Sequence, residues 1–190
     1  MPRASASTSS APSVQSGQSG RSGHSVQAPF AVCFVCTGNI CRSPMAESVF
    51  RARIRDAGLD GLVVVDSAGT DGWHEGDGAD PRTVAVLEAA GFDADHVARR
   101  FRTDWFARLD LVIALDRGHQ RSLRRLAPTP EDADKVRLLR SYDPLAYDEL
   151  DVPDPYYGDA DGFEECLTMV EAASEGLLAA VRDAVEGRAA

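Results

Sequence analysis

The sequence predicts an α/β fold built on a four-stranded, doubly wound parallel sheet with helices on both faces. Three observations carry that reading. Apolar runs of strand length recur four times along the chain. Between them lie longer stretches that open on a cap residue and close on Gly or Pro. Strands that alternate with helices form βαβ units, whose right-handed crossovers lay the strands parallel.

The elements follow in order. Residues 31–36 (AVCFVC) are a buried-strand candidate. Ser43-Pro44 reads as a helix start, with Ser as cap and Pro at the first helical position. That helix runs to about Ala57 and stops at Gly58. Residues 62–66 (LVVVD) form the second strand, and Asp80-Pro81 repeats the cap-plus-proline start of a helix ending at Gly91. Residues 109–115 (LDLVIAL) form the third strand. A helix over 117–126 is stopped by Pro128, and 136–139 makes a short fourth strand. The Asp-rich stretch 140–161 is broken by Pro and Gly and reads as a long loop. From Gly162 to about Glu186, apolar residues recur at helical spacing.

Composition narrows the function classes. The 190 residues are 44% hydrophobic and 26% charged, enough for one core. A net charge of -10 repels phosphate backbones, which argues against a general binder of nucleic acid or anionic membrane. No apolar run approaches the length of a membrane span. Four cysteines do not make a disulfide scaffold. Residues 1–29 hold nine Ser and no aromatic, so they cannot offset the entropy of ordering and are expected to be a disordered tail. They lack the continuous apolar stretch of a secretory signal, so a cytoplasmic protein is expected. The folded domain is expected over 30–190.

In open α/β sheets ligands sit beyond the carboxyl ends of the strands. Here that rule points to Cys36-Thr37-Gly38-Asn39-Ile40-Cys41-Arg42-Ser43-Pro44, the first strand–loop–helix junction. A loop closing onto a helix start can turn several N–H groups inward as an anion nest, and the helix dipole adds positive charge. Such a loop binds phosphate. Gly38 and Asn39 tolerate the left-handed backbone it needs. Arg42 can hold two phosphate oxygens in its planar fork. The same donors favour the thiolate of Cys36, the form that attacks phosphorus.

Cys-x5-Arg-Ser at a strand-to-helix turn resembles the protein tyrosine phosphatases. The longer stretch FVCTGNICRSPMAE is similar to their low-molecular-weight branch. Elements of that family recur in order: VDSAGT at 65–70, an aromatic loop at Trp73, His96, a strand ending in Asp116, and DPYYG at 154–158. The resemblance covers roughly residues 30–187. It implies Cys36 as nucleophile, Arg42 as phosphate clamp and Asp154 as general acid. It implies Ser43 as the hydroxyl that stabilises the departing thiolate. Asn39, Ser67 and His96 match a network that shapes the loop, and Trp73, Tyr156 and Tyr157 match the cleft walls. Thr37, Gly38, Ile40 and Cys41 complete the phosphate loop. The implied partners are phosphotyrosine proteins or peptides, met by a monomer with no cofactor and no metal. Many members carry Asn where this chain has His119, and some carry an apolar residue in place of Thr37.

Other readings of these residues compete. Cys33 and Cys36 form a Cys-x-x-Cys, but strand residues three apart face opposite sides, which makes Cys33 a core residue; Cys166 on the last helix reads likewise. The family often pairs the sulfurs at the positions of Cys36 and Cys41 under oxidation; otherwise Cys41 is a small loop residue. Asp143-Pro144 rivals Asp154-Pro155 as the acid, without the adjacent aromatic pair. His96 could be a base, Trp73 plain core, Asp151 a support for Asp154, and the arginines of 117–125 either a solvated face or a docking patch. Two relatives share this loop. A thiol-linked arsenate reductase needs a further relay cysteine pair, and none lies between Cys41 and Cys166. A protein-arginine phosphatase tends to have Thr in place of Ile40 and a single aromatic in place of Tyr156 and Tyr157. A non-catalytic phosphate-binding module would not need Cys36, Arg42 and Asp154 together.

Overall fold

The computed structural model describes residues 28–189; most of the proposed tail, residues 1–27, lies outside them. Strands β1 (Phe30–Cys36), β2 (Val63–Gly69), β3 (Leu111–Ala114) and β4 (Val136–Leu138) form one sheet in the order β2-β1-β3-β4, all parallel. β1 is the central apolar strand. Its side chains alternate: Val32, Phe34 and Cys36 join one core, and Cys33 and Val35 join the other. The two sulfurs of the Cys-x-x-Cys therefore face opposite layers.

Helices α1 (Arg42–Asp56), α2 (Pro81–Ala89) and α5 (Ala160–Ala189) cover the first face. A 3-10 turn (Thr103–Ala107) and helix α3 (Arg117–Leu126) cover the second, with the short α4 (Pro130–Asp134) beside α3. Phe34 of β1 meets Phe50 of α1 edge-on at 5.6 Å. An aromatic pair of this kind adds about 0.5–1.5 kcal/mol beyond the area the two rings bury, and so helps hold α1 on the sheet.

Several element ends differ from the sequence reading. α1 starts at Arg42, one residue before the expected cap, and no side chain caps it. The Ser43 hydroxyl is instead occupied by the site beneath the loop. Asp80 does cap α2 through Arg82 N, with Pro81 following, and Gly58 ends α1 at φ 69. β2 runs three residues past Asp66, because Ser67, Ala68 and Gly69 pair with Phe34, Val35 and Cys36. The stretch 140–161 contains two 3-10 turns, Leu139–Tyr142 and Pro155–Tyr157, rather than plain loop.

The connection through α1 places β2 on one side of β1, and β3 lies on the other. That divergence opens a crevice at the carboxyl ends of β1 and β3, where Cys36 and Asp116 sit.

Candidate active site

The loop from Cys36 to Cys41 is held from outside through its carbonyls. Thr70 N donates to Cys36 O at 2.8 Å, Asp71 N to Thr37 O at 3.0 Å and Asp80 N to Ile40 O at 2.8 Å. The His96 Nε2–H donates to Asn39 O at 2.7 Å. A peptide N–H points opposite its carbonyl, so the amides of Thr37, Gly38, Ile40 and Cys41 turn toward the centre. None of them meets a protein acceptor among the described residues. The uncapped N-terminus of α1 adds its dipole, and the result is an anion nest.

Asn39 takes the left-handed conformation the loop requires, at φ 56. Gly38 does not. Its missing side chain makes room for His74, whose ring carbon would stand 3.0 Å from a β-carbon there. Gly69 is needed more strictly: a β-carbon would lie 2.5 Å from Thr37 O, so β2 can run under the loop only as glycine.

Beneath the loop runs a buried chain of hydrogen bonds. Ser43 Oγ lies 3.0 Å from Cys36 Sγ and accepts from Asn39 Nδ2 at 2.9 Å. Asn39 Nδ2 also donates to Ser67 Oγ at 2.8 Å, and Ser67 donates to Glu47 at 2.5 Å. Asn39 Oδ1 accepts from Arg99 N at 2.9 Å. Ser43, Asn39, Ser67 and His96 thus support the loop together, with the buried Glu47 closing the chain. His96 lies behind the loop and outside the cleft lining, with its Nε2–H committed to Asn39 O, and burial lowers its pKa.

Arg42 is only 4% exposed, yet both ends of its guanidinium are used. Nη1 donates to Asp116 Oδ2 at 3.0 Å and to Val152 O at 3.1 Å; Nη2 donates to Asp154 Oδ2 at 2.9 Å. A buried charge needs such partners. Asp151 does not support Asp154: it accepts from Arg117 N at 2.8 Å. Asp143 is buried against Leu145 N and Arg140, away from the cleft. The arginines of α3 remain largely solvated.

One cleft of about 260 Å³ collects Cys36, Thr37, Gly38, Ile40, Cys41, Arg42, Trp73, Asp154, Tyr156 and Tyr157, together with Asp71 and His74. Trp73 and Tyr157 are each 90% exposed, so both are rim residues rather than core. The rings of Tyr156 and Tyr157 meet edge-on at 5.1 Å. All four cysteines are free thiols. Burial pushes the Cys41 and Cys166 thiols up to about 12 and raises Cys33 as well, which disfavours their thiolates at neutral pH.

Sequence reasoning missed Glu47, Asp71, His74, Asp116 and His119 as site residues. Glu47 stood within the quoted motif, and Asp116 was marked only as a strand end. His119 gave a signal as the departure from Asn. Its Nε2 stands 2.8 Å from Thr37 Oγ1, and its backbone N–H donates to Asp116 Oδ1 at 2.7 Å. Its Nδ1 is 3.0 Å from Asp116 Oδ2 without the alignment of a hydrogen bond. Burial, aided by Arg42 and opposed by Asp116, lowers the His119 imidazole from 6.5 to about 4. The unfolded chain takes up that proton near 6.5 and the folded one only near 4, so stability is lost as pH falls between them. His119→Asn should shrink the loss between pH 7 and 4.5 by about 2 kcal/mol in urea unfolding. An unchanged loss would refute the burial argument.

A strand-end thiol in a backbone nest, with an arginine behind it on a parallel sheet, is the arrangement of a cysteine-dependent phosphatase. The comparisons agree. The family model described as low molecular weight phosphotyrosine protein phosphatase matches residues 31–186, and the chain belongs to that family. A Streptomyces coelicolor low molecular weight protein-tyrosine-phosphatase is 74% identical over 162 residues, covering 85% of this chain and 99% of the relative. Among solved structures, a protein tyrosine phosphatase from Entamoeba histolytica superposes with a TM-score of 0.78 at 32% identity, covering 82% of this chain and 98% of that one. A Drosophila arginine phosphatase superposes with a TM-score of 0.72 at 31% identity, covering 77% and 94%. Among the described residues, no helix is long and apolar enough to cross a membrane.

Proposed function

We propose that the protein is a protein tyrosine phosphatase that hydrolyses phosphotyrosine in proteins or peptides through a cysteinyl-phosphate, acting as a cytoplasmic monomer without cofactor or metal. The catalytic domain would span 30–190, with 1–29 outside it. The observation that carries the reading is a single cleft holding a nested thiol, a buried arginine and an Asp at the foot of three aromatic rings.

In the first step the Cys36 thiolate attacks phosphorus from behind. The S–P bond forms as the P–O bond to the tyrosine breaks, and the electron pair leaves on the phenolic oxygen. Phenol ionises only near a pKa of about 10, so the leaving oxygen needs a proton, which protonated Asp154 supplies. Arg42 and the loop amides hold the equatorial oxygens. In the second step the Asp154 carboxylate takes a proton from water, water oxygen bonds to phosphorus, and the S–P bond breaks. Phosphate leaves and the thiolate returns, stabilised by the Ser43 hydroxyl 3.0 Å away.

An arginine phosphatase is the second reading, favoured by the likeness to the Drosophila enzyme. Ile40 in the cleft and two adjacent tyrosines support a phenyl ring over a guanidinium. A panel of phosphotyrosine, phosphoserine and phosphoarginine peptides, with arsenate reduction as control, tests the choice. The phosphotyrosine peptide should be the best substrate. Preference for phosphoarginine would replace the reading.

A further inference from the structure

We propose that Arg82 is a positioning residue for the general acid: it ties the 154–158 turn to the nucleophile loop and sets where Asp154 meets the leaving oxygen. This rests on the reaction proposed above. Arg82 is the second residue of α2, beside the cap Asp80. Asp80 Oδ1 accepts from Arg82 N at 2.9 Å and Nε at 3.0 Å, and Oδ2 accepts from Nη2 at 2.9 Å. The N–H of the same Asp80 donates to Ile40 O, inside the nucleophile loop, at 2.8 Å.

The far edge of the guanidinium reaches the acid turn. Nη2 donates to Tyr156 O and Nη1 to Gly158 O, each at 3.2 Å. Those carbonyls bracket the end of the 3-10 turn whose cap is Asp154. No other donor among the described residues reaches either one. The guanidinium carbon also lies 4.5 Å from the Phe163 ring centroid, in the first turns of α5, and 5.6 Å from that of Tyr156. One planar group therefore joins α2, the acid turn and α5.

This link differs in kind from the Arg42–Asp154 contact. A bound phosphate competes for Arg42. Arg82 lies outside the cleft lining and grips main chain, so its hold persists when substrate enters. Among the described residues the acid turn has only short local bonds of its own, Tyr156 N to Asp154 Oδ1 at 3.2 Å and Gly158 N to Pro155 O at 3.0 Å, and neither ties it to the nucleophile loop. A lysine could not satisfy two carbonyls and a carboxylate in one plane.

The test uses the full chain with Arg82→Ala, Arg82→Lys, Asp154→Ala and the double variant Arg82→Ala/Asp154→Ala. kcat/KM is measured on phenyl phosphate, a poor leaving group, and on p-nitrophenyl phosphate, a good one, with vanadate inhibition alongside. Arg82→Ala should lose about 30-fold on phenyl phosphate and under about 3-fold on the nitrophenyl ester, because a small misplacement of the acid is costly only where its proton is needed. Vanadate inhibition should stay within about twofold, and Arg82→Lys should fall between. Added to Asp154→Ala, the Arg82 change should cost nothing more. Equal losses on both esters, no loss, or full additivity with Asp154→Ala would each overturn the inference. Should Arg82→Ala melt below the assay temperature, Arg82→Lys carries the same comparison. If Asp154→Ala itself shows no dependence on the leaving group, the acid role fails first.

Discussion

Cys36→Ser should lower turnover by about 10⁴-fold or more while leaving the melting midpoint within about 4 °C of the parent. The buried sulfur would be replaced by a smaller atom in the same rotamer, and the nest, Arg42 and the Ser43–Asn39–Ser67 chain would remain. A serine hydroxyl stays protonated, so no attacking anion forms. Vanadate or phosphate should still bind. Iodoacetate at neutral pH should label one thiol in the parent and none in the variant, because burial raises the pKa of the Cys33, Cys41 and Cys166 thiols and keeps them protonated. Activity within tenfold of the parent would end the covalent scheme.

Asp154→Ala should cut kcat/KM for phenyl phosphate by about 10²–10⁴-fold and affect an activated nitrophenyl ester far less. The side chain also touches Arg42, which raises a second explanation: loss of the clamp. The geometry separates the two. Arg42 keeps Asp116 and Val152 O on its other nitrogen when Asp154 is gone. Vanadate inhibition should therefore change by no more than a few-fold. Equal losses on both esters, with weakened vanadate inhibition, would assign Asp154 to the clamp instead of the proton.

Features written in local chemistry were legible in the chain. The Asp80-Pro81 start of α2, the glycine after α1 and the alternation of β1 all depend on neighbours a few residues away. The family resemblance then named most of the cleft. Where the local rule failed, a distant partner had claimed the group. Ser43 reads as a cap, but Cys36 and Asn39 occupy its hydroxyl. Gly38 reads as a turn residue, but His74 sets its size. Asp116 and His119 meet Arg42 and Thr37 across 74 and 82 residues, contacts that exist only because β3 pairs with β1. α4 has a different reason for escaping a sequence reading: five residues are too few for a periodic pattern, and its cap shows only in the structure, where the Thr129 side chain accepts from Asp132 N.

The cradle's outer fastenings bear on how such a molecule can change. Of its four carbonyls held from outside, three are pinned by main-chain N–H groups, and Gly69 lies flush beneath Thr37 O. The Ser43, Asn39, Ser67 and His96 side chains brace the rest from behind, while the side chains of Trp73 and Tyr157, each 90% exposed, stand at the mouth and take no part in that bracing. A lineage could exchange those mouth residues to admit a differently shaped guest and leave the reactive machinery untouched.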